Sequence, residues 1–282
     1  MAAIIHFPYS TPTISNSHAP HCTQSPLYPH MTLAKFQSLR HLRRRGFSVS
    51  AAVRQDTSLW TPAPLVKISP AAESLFNITI DVSESAELAG SYTKAGQYLQ
   101  LRLQDSESKP SFLAIASPPS IAASKGVFEF LIKSVAGSTA ELLCGLQKGD
   151  VVELTPAMGK GFDIDQISPP ENYQTLVIFA TGSGISPIRS LIETGLSADK
   201  RSDERFKDWQ SAGVDIVPVL SQPDDSWKGE QGYVQTAFAK EKRIISPQST
   251  GAVLCGQKQM SEDVTSLLVA DGVSSEKILK NF

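Results

Sequence analysis

Residues 175–194, TLVIFATGSGISPIRSLIET, decide how this chain is read. Thr175 to Ala180 is a continuous apolar run of the kind that forms a strand buried on both faces. Thr181-Gly182-Ser183-Gly184-Ile185-Ser186-Pro187 follows, and then an apolar stretch from Ile188 to Thr194 with helical character. The run therefore reads strand, glycine loop, helix. Glycines let a ligand come close to the backbone, and the start of a helix offers free amides and a partial positive charge, which suits a pyrophosphate. Pro187 fits a first helical turn because it has no N–H to leave unpaired. An ordinary tight strand-to-helix turn would give the same pattern, so the loop alone does not define a site.

The same grammar continues towards the C terminus, with strand-like Val214 to Leu220 and Ala252 to Cys255, then a helical stretch from Ser261 to Val269. Apolar strands alternating with helices predict a parallel sheet covered on both sides. On the N-terminal side, Ile167 to Asn172 (ISPPEN) reads as a linker. Before it, short β-rich runs are punctuated by Gly, Pro and Ser: Val66 to Ile68, Phe76 to Val82, Tyr98 to Leu103, Leu113 to Ser117, Val127 to Lys133 and Val151 to Thr155. Six such strands predict a small antiparallel barrel, interrupted by one helix from Ser138 to Gly145 with Ser138 or Thr139 as its cap.

The 282 residues carry 26 basic and 28 acidic side chains, 41% hydrophobic and 19% charged, which fits a folded chain of about two domains. The expected organisation is a leader over 1–52, a barrel over 60–165 and an α/β domain over 173–282. The leader has no Asp or Glu, seven serines and a late arginine cluster, the composition of an organelle transit peptide. Val49-Ser50-Ala51-Ala52 resembles a plastid processing site, and Arg45-Gly46-Phe47-Ser48 a mitochondrial one. Plastid is the preferred location and mitochondrion the alternative. A disordered tail that stays attached is the plain reading. From Asp56 onward the chain holds 20 basic and 28 acidic residues, which disfavours a polyanionic partner such as nucleic acid. No apolar run is long enough for a membrane span.

All five histidines (His6, His18, His21, His30 and His41) fall inside the leader. A processed chain would therefore have neither a histidine base nor the commonest metal ligand, and no metal site is expected. Cys144 and Cys255 form no CxxC pair, which argues against an iron–sulfur cluster. By spacing alone Cys255 is a buried apolar cysteine and Cys144 a core residue of its helix.

The β-rich domain, the GxGIxP loop and the terminal Cys255-Gly256 with Met260 four residues on together resemble the ferredoxin-NADP reductase superfamily. Within it the chain is most similar to plant plastid FAD/NAD(P)-binding oxidoreductases of the fruit-protein type, and it also resembles the electron-transfer subunit of dihydroorotate dehydrogenase. The resemblance runs from about residue 62 to 282. It implies FAD on the barrel, NADP or NAD on the C-terminal domain, hydride transfer between the stacked rings, and an electron acceptor that the sequence does not name.

Residue by residue, the resemblance implies isoalloxazine contacts at Leu113, Ala114, Ile115, Ala116 and Ser117, and flavin diphosphate contacts at Gly137, Ser138 and Thr139. It implies nucleotide contacts at Thr181, Gly182, Ser183, Gly184, Ile185, Ser186, Pro187, Gly256 and Met260. Cys255 would lie beside the nicotinamide as the catalytic-site cysteine, and the terminal Phe282 against the flavin. Where the family pattern has Arg, Tyr and Ser along the flavin strand, this chain has Ser111, Leu113 and Ala114, and the plain reading of that run is a barrel core strand. A helix cap is the plain reading at Gly137 to Thr139. Pro156 to Phe162 resembles a loop that closes the barrel.

Between Leu196 and Val214 the sequence SADKRSDERFKDWQSAG contains no β-like run, whereas relatives carry a strand there. The α/β domain is therefore expected to lack one strand, as in a shortened isoform, with the join near Ser202 or Asp203. A protein that kept the two-domain shell and lost its cofactors is the alternative to an enzyme.

Overall fold

Alternating apolar residues build the first sheet, and continuous apolar runs build the second. A computed structural model of the chain describes residues 2–8, 59–104, 109–167, 175–196, 215–241 and 244–281. The N-terminal strand is β1 (Ala2–Pro8). The barrel-type sheet follows with β2 (Thr61–Ala72), β3 (Leu75–Asp81), β4 (Tyr98–Leu103), β5 (Ser111–Ala114), β6 (Val127–Lys133) and β7 (Val151–Leu154). Their order is β5-β4-β7-β2-β3-β6, and every pairing is antiparallel. Thr61 to Pro64 of β2 pair with β7 and Leu65 to Ala72 with β3, whose pairing shifts register between Leu65 and Lys67 and between Pro70 and Ala72. Such a bulge turns a strand around a barrel corner. Past the end of β5, the Ala116 amide donates to the Glu129 carbonyl on β6, which joins the two edge strands.

Side chains of one parity point inward: Ile78 and Ile80 on β3, Leu99 and Leu101 on β4, Phe128, Phe130 and Ile132 on β6. Three short helices decorate this sheet: α1 (Ala86–Ser91), α2 (Pro119–Lys125) and α3 (Thr139–Cys144). Ser138 caps α3, as the sequence predicts.

The second sheet holds β8 (Thr175–Thr181), β9 (Asp215–Leu220), β10 (Glu230–Gln231), β11 (Thr250–Cys255) and β12 (Ile278–Lys280). Helices α4 (Ile185–Leu191), α5 (Val234–Glu241) and α6 (Lys258–Ala270) complete it, with a wider π turn over Ile192–Leu196 after α4. Its order is β10-β9-β1-β8-β11-β12. Both faces are covered, as uninterrupted apolar strands require. Leu176, Ile178 and Ala180 of β8, with Val253 and Cys255 of β11, face a core shared with Ile188 and Leu191 of α4 and with Ala95 and Phe162 of the barrel region. Val177, Phe179, Ala252 and Leu254 face the opposite core, with α5 and α6.

The predicted parallel pairing holds for β9-β10 and β8-β11-β12, and β1 adds one strand antiparallel to both of its neighbours. In addition, the expectation that all of residues 1–52 lie outside the fold does not hold for Ala2–Pro8, which pair with β8 and β9. AAIIHFP is apolar and rich in β-branched and aromatic residues, so it suits an inner strand. The stretch 197–214, where the absent strand was read, and the processing motifs near 45–52 lie outside the described residues.

Candidate nucleotide and flavin site

The glycine loop is pressed against the end of the neighbouring parallel strand. Gly182–Gly184 form a tight 3-10 turn after β8 that leads directly into α4. A Cβ on Gly184 would run into the Cys255 carbonyl and come within 2.8 Å of the Gly256 amide nitrogen. On the other side, a Cβ on Gly256 would collide with Thr181, reaching 2.8 Å from its carbonyl oxygen. The Gln257 amide donates to Thr181 Oγ1 at 3.1 Å. The two loops, 71 residues apart in sequence at Gly184 and Cys255, can meet only because neither glycine has a side chain.

Gly182 differs. Its φ is +56° and no atom lies within 4 Å of where a Cβ would stand. Gly182 and Ser183 are exposed and follow the carboxyl end of β8, beside the end of β11, the place where dinucleotides sit in open α/β sheets. Thr181 and Ile185 are half-buried, whereas Ser186 and Pro187 are buried in α4.

Cys255 lies on the face of the sheet that also packs against Ala95 and Phe162 of the barrel region. It is 6% exposed, and burial pushes its thiol up to about 12. Burial among apolar neighbours keeps the thiol protonated at neutral pH, and the thiol is the less reactive form. Met260 is buried on the opposite face of the sheet, among Phe179, Leu254 and Val264, and is not brought to Cys255. Phe282 lies outside the described residues. Its neighbour Asn281 is anchored, with Nδ2 donating to the Gly96 carbonyl at 2.8 Å.

On the barrel side, Leu113 and Ala114 are half-buried, while Ile115, Ala116 and Ser117 are fully buried. The Ile115 amide donates to the Gln97 carbonyl and the Ala116 amide to the Glu129 carbonyl. Ser117 Oγ accepts from the Glu129 amide, and its carbonyl accepts from Tyr92 Oη at 2.8 Å. Only the Leu113 and Ala114 end of this run is open to a ligand. At the second predicted contact, Gly137 has φ +74° and open space around its Cα. Its amide, however, donates to Glu141 Oε2 at 2.7 Å, the Glu141 amide to Ser138 Oγ, and Thr139 Oγ1 to the Lys109 carbonyl. This is a reciprocal helix cap. The shape suits a diphosphate, but a carboxylate holds the amide a diphosphate would take.

Sequence reasoning missed the residues that join the two sheets. Tyr92 Oη, between Ser117 and Ser190 Oγ at 2.6 Å, is buried, which raises its phenol well above the usual range. Arg189 on α4 is ion-paired with Glu129 of β6 and, at 3.0 Å, with Glu193. The one available signal was a charged residue inside an otherwise apolar helix. The partners lie too far apart in sequence to form a motif.

This arrangement, an antiparallel barrel-type sheet followed by an α/β sheet with its glycine loop at the carboxyl edge, defines a two-lobed class of fold. Comparison with known proteins agrees, and the chain belongs to the ferredoxin-NADP reductase superfamily. It is 45% identical to fruit protein pKIWI502 of Actinidia deliciosa over 293 residues, covering 94% of this chain and 91% of that protein. That alignment is longer than the chain itself, so the kiwifruit protein has residues that this chain lacks.

A chloroplastic ferredoxin-NADP reductase of Mesembryanthemum crystallinum is 26% identical over 165 residues, 48% of this chain and 44% of that one, so this match spans under half of the relative. Residues 202–266 match the oxidoreductase NAD-binding domain family. The match opens at Ser202, where the sequence reading puts the join. Among solved structures, a ferredoxin NADP+ reductase from Neisseria gonorrhoeae with bound FAD and NADP superposes with a TM-score of 0.59 at 20% identity, over 78% of this chain and 97% of that one. Among the described residues, no helix is long and apolar enough to cross a membrane.

Proposed function

We propose that the chain is a flavin-dependent NAD(P)H oxidoreductase, with residues 60–165 holding FAD and 173–282 holding NADP or NAD. The contact of Gly184 with Cys255 and Gly256 carries this reading, because it builds a side-chain-free crevice at the carboxyl edge of two parallel strands. The amides of Gly182 and Ser183 would bind the nucleotide diphosphate, with Thr181 fixing the loop through Gln257.

Cys255, neutral at physiological pH, would give the nicotinamide an apolar wall that excludes water. The flavin, when bound, supplies hydride acceptance and onward electron transfer. Leu113 and Ala114 would border its ring, and Gly137, Ser138 and Thr139 its diphosphate once Glu141 gives way. No described side chain is asked to shuttle a proton. The leader composition and the chloroplastic relatives support a plastid location.

The electron acceptor would be a small molecule or a redox protein. The acidic body weighs against acidic protein acceptors, since like charges slow encounter. The Glu141 cap, with Ser111, Leu113 and Ala114 in place of flavin-pairing side chains, favours a second reading, a cofactor-poor shell. The purified chain separates the two. Yellow protein whose visible absorption is bleached by NADPH or NADH supports the enzyme. Colourless folded protein that takes up no added FAD overturns it.

A further inference from the structure

The inner slot of the C-terminal sheet is filled from the wrong end of the chain. Strand β8 is buried along Leu176 to Ala180, and β9 is buried at Ile216 and Val219, so both need a hydrogen-bonding neighbour on the sides that face each other. The chain between them, residues 197–214, reads as highly charged with two large apolar residues, and offers no β-like run. Strand β1 takes the place. Ala2 to Pro8 pair with Thr181 to Thr175, and Ala2 to His6 with Val219 to Asp215, both antiparallel and in unbroken register. The order β9-β1-β8 contains no direct β9-β8 pairing. Without β1 the sheet becomes two pieces, β10-β9 and β8-β11-β12, each with a bare apolar edge.

We propose that Ala2–Pro8 act as an intramolecular donor strand, completing the nucleotide-binding sheet between β8 and β9. Antiparallel entry follows from geometry. Ala2 lies opposite Thr181, at the end of the sheet that carries the glycine loop, and the strand runs back towards Thr175. This makes the first residues part of the binding domain as well as of the leader. Cleavage near residue 52 would remove an inner strand and leave a slot shaped for one. The form with a whole sheet is the form that keeps residues 2–8, so a working nucleotide domain in a plastid would require import without removal of those residues. The pairing also bears on the glycine loop, because β8 ends at Thr181, the residue that fixes Gln257.

The register gives the test, in the full-length chain and without any cofactor. Cysteine pairs A3C/A180C and H6C/V177C sample both kinds of antiparallel pair, so under mild oxidation at least one should close into a disulfide, read by peptide mass mapping. The mismatched pair A3C/V177C should not. Equal, negligible bonding in all three would overturn the proposal. Alongside, Ile5→Pro removes an amide donor and obstructs an inner strand. Hydrogen exchange over Asp215–Leu220 should then rise at least tenfold. Unchanged protection there, in a variant that still folds, would show that β9 does not depend on β1.

Discussion

Gly184 and Gly182 stand two residues apart and should respond to substitution for different reasons. A methyl on Gly184 meets backbone of the next strand, which cannot rotate away. Gly184→Ala should cost about 3 kcal/mol in urea denaturation, at the upper end of overpacking, and weaken nucleotide binding. Gly182→Ala meets open space and loses only the conformational freedom used at φ +56°, so about 1 kcal/mol is expected. Cys255 gives a pH test. Its folded-state value, near 12, lies above the ordinary 9.0, so the native state keeps a proton that the unfolded chain releases. Its contribution to stability is complete below pH 9 and is lost as pH rises from there towards 12. Tyr92, also raised, adds to the alkaline fall above its ordinary 10.0. Denaturation midpoints measured between pH 8 and 11 should drop less steeply in Cys255→Ala than in the parent. A native Cys255 should also resist thiol reagents at pH 8.

Helix α4 connects the glycine loop to the barrel through Ser190, bonded to Tyr92, and through Arg189. The Arg189 side chain, 8% exposed, lies between Glu129 of β6 and Glu193. Arg189→Met keeps the packing of the stem but leaves two carboxylates without that cation, and should cost about 3 kcal/mol by denaturation. Helix α3 makes the opposite case. Its cap is complete through Ser138 and Glu141, so the Gly137 amide is already held by a carboxylate. Glu141→Gln retains a hydrogen-bonding side chain and removes the charge. Stability should change by less than about 0.5 kcal/mol, while FAD affinity, measured by fluorescence quenching on titration, should rise several-fold.

Among the described residues, the polar contacts that tie the two sheets include Tyr92 with Ser190, Arg189 with Glu129, and Asn281 with the Gly96 carbonyl, beside the packing of Ala95 and Phe162. Gln97 organises the Gly96 contact, accepting from the Thr93 and Lys94 amides and donating to the Gly159 carbonyl. A nucleotide that binds only the folded form stabilises it by mass action, by about 2.7 kcal/mol at a hundredfold excess over Kd. Adding NADPH or NADH at that level should therefore raise the thermal midpoint by several degrees, and Gly184→Ala should blunt the rise at the same concentration.

The alternation of β3, β4 and β6, the apolar runs of β8 and β11 and the Ser138 cap were legible in residue order, because each rests on contacts within a few positions. So were the glycine loop and its likeness to a known superfamily. The burial of Ser186 and Pro187, the separation of Met260 from Cys255 and the Glu141 hold on Gly137 were not, since each depends on which face of an element meets a neighbour. Neither was the use of Ala2–Pro8 as an inner strand, nor the Tyr92 and Arg189 ties. Local pattern fixes the element a segment can form; which distant segment fills an open edge or a charged gap is decided only when the chain closes on itself, because unmet hydrogen bonds and buried charge take whatever partner the topology brings within reach.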